Sequence, residues 1–239
     1  MKTHRVQFIA QGVFTLPSGK KTDNWVRRMI MRAISNPELI KVLDAHTHKI
    51  YYGCNQECYN TEWQGRSGCA PAVAPNIILY LSHTQDIPRF EKNCSIKEKC
   101  VSVLEEFWTF VTPTLAGIPS TRMFSDTVLA YAKANGLNVE CFVYDVPDNK
   151  TSKPPLAEMV NFIKNALIKD VPVAFLNLCH GDEKILYSWH WVTITSLEHA
   201  ENGNVAFITI LDEGLFKSID LALWINTTTL GGGFVYFFS

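Results

Sequence analysis

The chain has 239 residues, 47% of them hydrophobic and 19% charged, with a formal net charge of −1. That length suits one large domain or two small ones with an ample core. A near-neutral balance without a long run of one sign excludes a nucleic-acid footprint and an anionic membrane surface as partners, and no window approaches the ~18 uninterrupted apolar residues of a membrane span. Residues 1–10 hold too short an apolar stretch for a signal peptide, so a cytoplasmic location is expected. Seven cysteines, an odd number scattered over the chain, fit reduced thiols better than a disulfide framework.

Residues 1–19 read as an extended arm with one or two strand-like pieces, closed by Pro17-Ser18-Gly19. From Thr22 the pattern turns helical, with Trp25, Val26, Met29, Ile30 and Ala33 at three- and four-residue spacing and Asp23 or Asn24 as cap. A second helix is expected from Pro37 to about His46. Residues 1–50 thus read as a strand and helical extension to a main domain over 51–239, with no glycine- or serine-rich linker between them.

A polar, glycine-punctuated loop follows and ends at Cys69, where an apolar helical pattern begins. Pro71 suits the first helical turn, where a missing N–H costs nothing, whereas Pro75 should kink or delay the helix. The Cys69 sulfur is then expected beside the unpaired N–H groups and positive dipole end of a helix, a setting that favours the nucleophilic thiolate. Taken alone, a loop cysteine packed beside a helix start is the commoner reading.

Residues 83–94 read as a polar loop. Ser95 to about Val111 gives an amphipathic helix with Val101, Leu104, Phe107, Trp108 and Val111 on one side. After a breaker stretch, Thr121 to Ala134 is helical and stops at Asn135-Gly136. A strand over 139–146, a helix over 155–168 and a strand over 171–178 follow. Three more strands are expected near 189–197, 204–212 and 234–238, with a short helix near 220–225. Gly231-Gly232-Gly233 is a turn into the last strand rather than a phosphate loop. Helices dominate the first half and strands the second, which argues an α+β fold with an antiparallel sheet packed on helices.

His190 opens one of these strands and Asp212 ends the next. A cysteine at a helix start with a histidine and a carboxylate on successive strands can assemble a nucleophile, a base and an orienting group. Asp212 would accept the Nδ1–H of His190, with Glu213 and Asp220 as possible substitutes. Gln64 could offer a side-chain N–H to an oxyanion. Trp63, Trp189, Trp191 and Trp224 line the cleft or belong to the core. Among the other cysteines, Cys141 and Cys179 lie in apolar runs and read as core, and Cys94 and Cys100 flank a helix start.

Through Gln64, Gly68-Cys69-Ala70-Pro71, His190-Trp191-Val192 and Leu211-Asp212 the chain resembles the papain-like cysteine peptidases, and most the branch containing the bacteriocin-leader-processing (double-glycine) peptidases. The departures are Ala70, where a glycine is usual, and the five-residue spacing from Gln64 to Cys69, where six is usual. The resemblance implies a helical lobe against a sheet lobe with the active-site cleft between them. It also implies thiol-dependent hydrolysis of a peptide or other amide bond, without a cofactor or metal. Acyl transfer through the same acyl-cysteine and a non-catalytic binding module are the alternatives. A rival lies in Leu43-Asp44-Ala45-His46-Thr47-His48, which resembles the metal-binding signature of amidohydrolases. The chain lacks the βα alternation of that barrel.

Overall fold

The computed structural model describes residues 29–85, 87, 95–148, 153–201 and 203–239. The expected N-terminal arm, the start of the first expected helix and Cys94 lie outside the described residues. The part of that helix that is described is instead strand β1, Met29–Ala33. Five residues of mixed polarity fit either period, and an open strand edge decides the matter by supplying backbone partners. Pro37–Ile40 is a single 3-10 turn capped by Asn36, whose side chain accepts the Glu38 N–H. The chain then turns extended into β2, Lys41–Leu43, instead of continuing as a helix to His46. β2 pairs antiparallel with β3, Ile50–Tyr52, in the register Leu43↔Ile50. The expected boundary at residue 50 therefore falls inside a hairpin, and the described residues ahead of it contribute β1 to the main sheet.

From there most elements follow the sequence pattern. Helix α1 spans Glu62–Ser67, α2 Cys69–Thr84, α3 Lys97–Trp108 and α4 Thr121–Ala134. Ser120 caps α4 by accepting the Met123 N–H, and Gly136 takes φ +67° just past its end, as a helix stop requires. Strand β4 (Glu140–Val146), helix α5 (Leu156–Ile168) and strand β5 (Val173–Asn177) come next. Strands β6 (His190–Ala200), β7 (Ala206–Asp212) and β8 (Leu215–Asp220), helix α6 (Leu221–Thr227) and strand β9 (Gly232–Phe238) complete the described chain.

The fold is α+β. Its main sheet has the order β4-β9-β5-β6-β7-β8, and β1 joins at β6; every pairing is antiparallel. One edge of β6 carries β7. The other is shared end to end, by β5 along residues 190–194 and by β1 along 196–200. β6 is consequently the central strand and is buried along nearly its whole length.

Helix α2 packs on β6 and on α3, and every residue from Ala70 to Ser82 is buried. A helix apolar on all sides has no stable place except inside a core. Ile77, Ile78 and Leu81 are fully buried, each contributing about 1.5–3 kcal/mol on transfer from water. Pro75 lies inside α2 without ending or delaying it. The polar Asn76 is tolerated there because its Oδ1 accepts the Cys54 N–H at 2.6 Å and its Nδ2 donates to the Cys54 carbonyl. At the other end of the sheet, Gly231 and Gly232 turn the chain into β9 at φ +66° and +149°, where a side chain would strike the Val146, Pro147 and Leu176 carbonyls.

Candidate active site

The junction between α1 and α2 is made by one residue. Thr61 caps α1, its hydroxyl accepting the Gln64 N–H, and Gly68 serves as both the end of α1 and the start of α2. A Cβ at Gly68 would lie 2.5 Å from the Gln64 carbonyl and 2.6 Å from the Tyr59 ring, so only glycine lets the two helices meet there. No side chain caps α2. Cys69 occupies its first position, where backbone N–H groups have no partner within the helix.

His190 begins β6 paired with Asn177, the last residue of β5. Asp212 ends β7, and the register Thr193↔Leu211 continues to put Val192 opposite it. His190 is therefore its diagonal neighbour on the same face, a separation of roughly 7–8 Å that the far end of an imidazole can span. The ring does so: Nε2 lies 2.7 Å from Asp212 Oδ1. The Cys69 thiol lies near enough to the same imidazole to favour its charged form, and with Nε2 committed to Asp212, Nδ1 is the nitrogen left to face it. The nitrogen expected to serve Asp212 is thus reversed: Nε2, not Nδ1, meets the carboxylate.

Burial by itself would push the His190 imidazole down; the hydrogen bond to Asp212, the nearby Cys69 thiol and the charges of both override it and raise it to about 10. Burial likewise pushes Asp212 up, and the His190 and Lys217 contacts reverse it, so that the carboxyl sits below its ordinary range. Lys217 Nζ is 2.7 Å from Asp212 Oδ2 and 2.7 Å from Glu213 Oε2. Glu213 is therefore a partner of the lysine and Asp220 caps α6 through the Leu223 N–H; of the three carboxylates it is Asp212 that meets His190.

Gln64 is differently employed than its expected role requires. Its Oε1 accepts from Thr61 and its Nε2 donates to Glu105 Oε2 at 2.8 Å, tying α1 to α3. Thr61-Glu62-Trp63-Gln64 has the spacing of a capping box, a signal that accounts for the glutamine without a cleft.

Beside Cys69 lies a cavity of about 370 Å³. Ile118, Leu176, Leu178 and Trp191 form its apolar floor, Leu115 and Trp189 its exposed rim, and Arg66 one end. Leu115 stands 96% exposed on a tight turn closed by Thr114 and Gly117. Trp191 Nε1 donates to the Ile118 carbonyl at 2.8 Å, fixing that turn to β6. Of the four tryptophans considered for the cleft, Trp189 and Trp191 line the cavity, Trp224 is core with its N–H on Asn177, and Trp63 is exposed on α1.

The remaining cysteines differ from one another. Cys141 is half-buried on β4, and burial pushes its thiol to about 11. Cys179 is not core: it lies past the end of β5, partly exposed, with Thr229 Oγ1 at 3.2 Å. Cys100 is buried within α3. The Asp44–His48 stretch is the turn between β2 and β3. Asp44 accepts the His46 and Thr47 N–H groups and the Lys97 ammonium, contacts that hold it at about 2, while His46 lies exposed beside Glu98. No group of three or more potential metal-ligating side chains occurs among the described residues. No described helix is long and apolar enough to cross a membrane.

No family model matches the sequence, and no curated protein does. Among solved structures, the chain is similar to the crystal structure of UfSP from C. elegans at 11% identity and a TM-score of 0.46, over 93% of this chain and 35% of that one. The chain therefore spans about a third of that protein's length, and a likeness of this size carries no argument about its chemistry.

Proposed function

We propose that the chain is a thiol-dependent hydrolase of papain-like architecture, cleaving a peptide or other amide bond through an acyl-cysteine. The observation that carries this reading is a single imidazole, His190, shared between the Cys69 thiol and the Asp212 carboxylate. With the thiol proton already held on His190, Cys69 Sγ attacks the substrate carbonyl carbon. The oxyanion forms beside the uncapped start of α2, where the Cys69 N–H stabilises it. As the tetrahedral intermediate collapses the C–N bond breaks, and His190 returns the proton to the leaving amine. Water, deprotonated by His190, then releases the acyl group and frees the Cys69 sulfur. Asp212 keeps the imidazole turned and favours its charged form. Gln64 can add to the oxyanion site only through the N–H that Glu105 does not hold.

The chemistry uses no cofactor or metal. The motif resemblance favours a peptide or other amide substrate. An amine in place of water would make the same intermediate an acyl-transfer donor.

The test is turnover of a diverse peptide pool, followed by mass spectrometry. Cys69→Ala and His190→Ala should abolish cleavage and Asp212→Asn should lose most of it. Gln64→Ala should keep a measurable fraction, and a chelator should change nothing. Loss of activity in chelator, restored by zinc and absent in His46→Ala, would instead favour the amidohydrolase reading. Cleavage that survives Cys69→Ala would end the thiol mechanism.

A further inference from the structure

We infer that Lys217 is a positioning residue of this site, bridging Asp212 and Glu213 so that the Asp212 carboxylate stays ionised and turned toward His190. The inference rests on the thiol-hydrolase reading.

The geometry comes from a hairpin. Asp212 pairs with Leu215 across the two-residue turn Glu213-Gly214, whose φ values of +52° and +74° are those of a tight hairpin turn. Lys217 pairs with Ile210, so it stands diagonal to Asp212 on the same face of the sheet. Its side chain is 20% exposed and that of Asp212 only 5%. Each Asp212 oxygen therefore has its own cationic partner: Oδ1 meets His190 and Oδ2 meets Lys217, both at 2.7 Å. The third participant, Glu213 Oε2, is also 2.7 Å from the ammonium.

Two adjacent carboxylates, one of them buried, repel each other unless a cation lies between them. A lysine, with three donors on a compact charge, can serve both at once. Tyr187 closes the arrangement. Its ring meets the His190 ring edge-on with centroids 5.8 Å apart, and the Lys217 ammonium lies 5.6 Å from its centroid. The groups facing His190 are thus Cys69 from α2, Asp212 from β7 and Tyr187 from the loop before β6. Lys217 and Glu213 stand behind Asp212. Burial pushes the lysine down, and its two carboxylate contacts raise it above its ordinary value, so it remains charged wherever the site can work.

The consequence is specific to pH. Without the ammonium, Asp212 takes up a proton at higher pH, and His190 loses its orienting partner on the acid side. The experiment is the rate of Cys69 alkylation by iodoacetamide from pH 5 to 9, with the labelled cysteine identified by mass spectrometry. It compares the natural chain, Lys217→Met, Lys217→Gln and Lys217→Arg. The glutamine variant keeps a donor for the buried carboxylate and so guards against a methionine variant that fails to fold.

The neutral variants should move the acid side of the profile upward by about one pH unit, slowing alkylation roughly tenfold at pH 5.5, while rates at pH 8 stay within about threefold. The arginine variant should follow the natural profile. Superimposable profiles for the natural, methionine and glutamine chains would overturn the role of Lys217 and leave the thiol reading intact. So would a slowing equal at every pH, or an arginine variant that shifts as far as methionine. A natural chain in which Cys69 reacts no faster than Cys58 or Cys179 would overturn both.

Discussion

His190 and Asp212 fix each other's charge, and the same contacts make the fold sensitive to pH. The imidazole is held at about 10 against an ordinary 6.5, so the folded chain binds that proton more tightly than the unfolded chain. Its contribution is then complete below about 6.5 and is lost as the pH climbs toward about 10. Asp212 has the opposite sign: held below its ordinary range, it stabilises the fold above that range and ceases to as the pH falls. Urea denaturation at a series of pH values should therefore show stability declining between about 6.5 and 10, and His190→Gln should flatten the decline. A slope that the substitution leaves unchanged would contradict the pairing. At this scale Cys69, His190 and Asp212 were legible as residue types at element boundaries. The imidazole nitrogen facing Asp212 was not, because it depends on a cross-strand diagonal. Gln64 read as an oxyanion donor because its spacing to Cys69 drew attention away from Thr61, the residue that explains it. Lys217 was invisible because the strand that carries it was not recognised.

The elements were legible where periodicity ran long. α2, α3, α4 and α5 begin and end within a few residues of the pattern, and the Cys69 helix buries thirteen consecutive residues, nearly all of them apolar. β8 was missed although Asp212-Glu213-Gly214 carries a turn signal, because Leu215-Phe216-Lys217-Ser218-Ile219 does not alternate apolar with polar residues. β1 was misread as helix for the same lack of length, and its partner lies far along the chain. One local feature is at odds with its surroundings. Trp189, immediately before His190, has φ +58° and is 56% exposed, a left-handed conformation that costs a bulky residue roughly 1–2 kcal/mol. Trp191, two residues on, is 2% exposed and hydrogen-bonded. Trp191→Ala should therefore cost about 3–5 kcal/mol of stability. Trp189→Gly should cost less than about 1 kcal/mol, since relief of strain offsets lost packing, while removing one side of the cavity rim. Chemical denaturation decides this, and equal losses at the two positions would contradict the assignment of strain to Trp189.

At the scale of the molecule, one helix and one sheet bring together residues more than a hundred positions apart. α2 delivers the cysteine from the first third of the chain, and β6 and β7 deliver the histidine and aspartate from the last. The α+β class was legible from the order of elements, but the place of residues 29–50 was not, since a strand donated to a distant sheet edge leaves no local mark. The proposed mechanism requires Cys69 to be an activated nucleophile and not a structural thiol. The most direct measurement is competitive labelling of the native protein with iodoacetamide at neutral pH, reading each cysteine by mass spectrometry. Cys69 should react at least about tenfold faster than any other thiol, and His190→Ala should remove that advantage. Uniform labelling, or faster reaction at Cys54, Cys58 or Cys179 with Cys69 untouched, would contradict it.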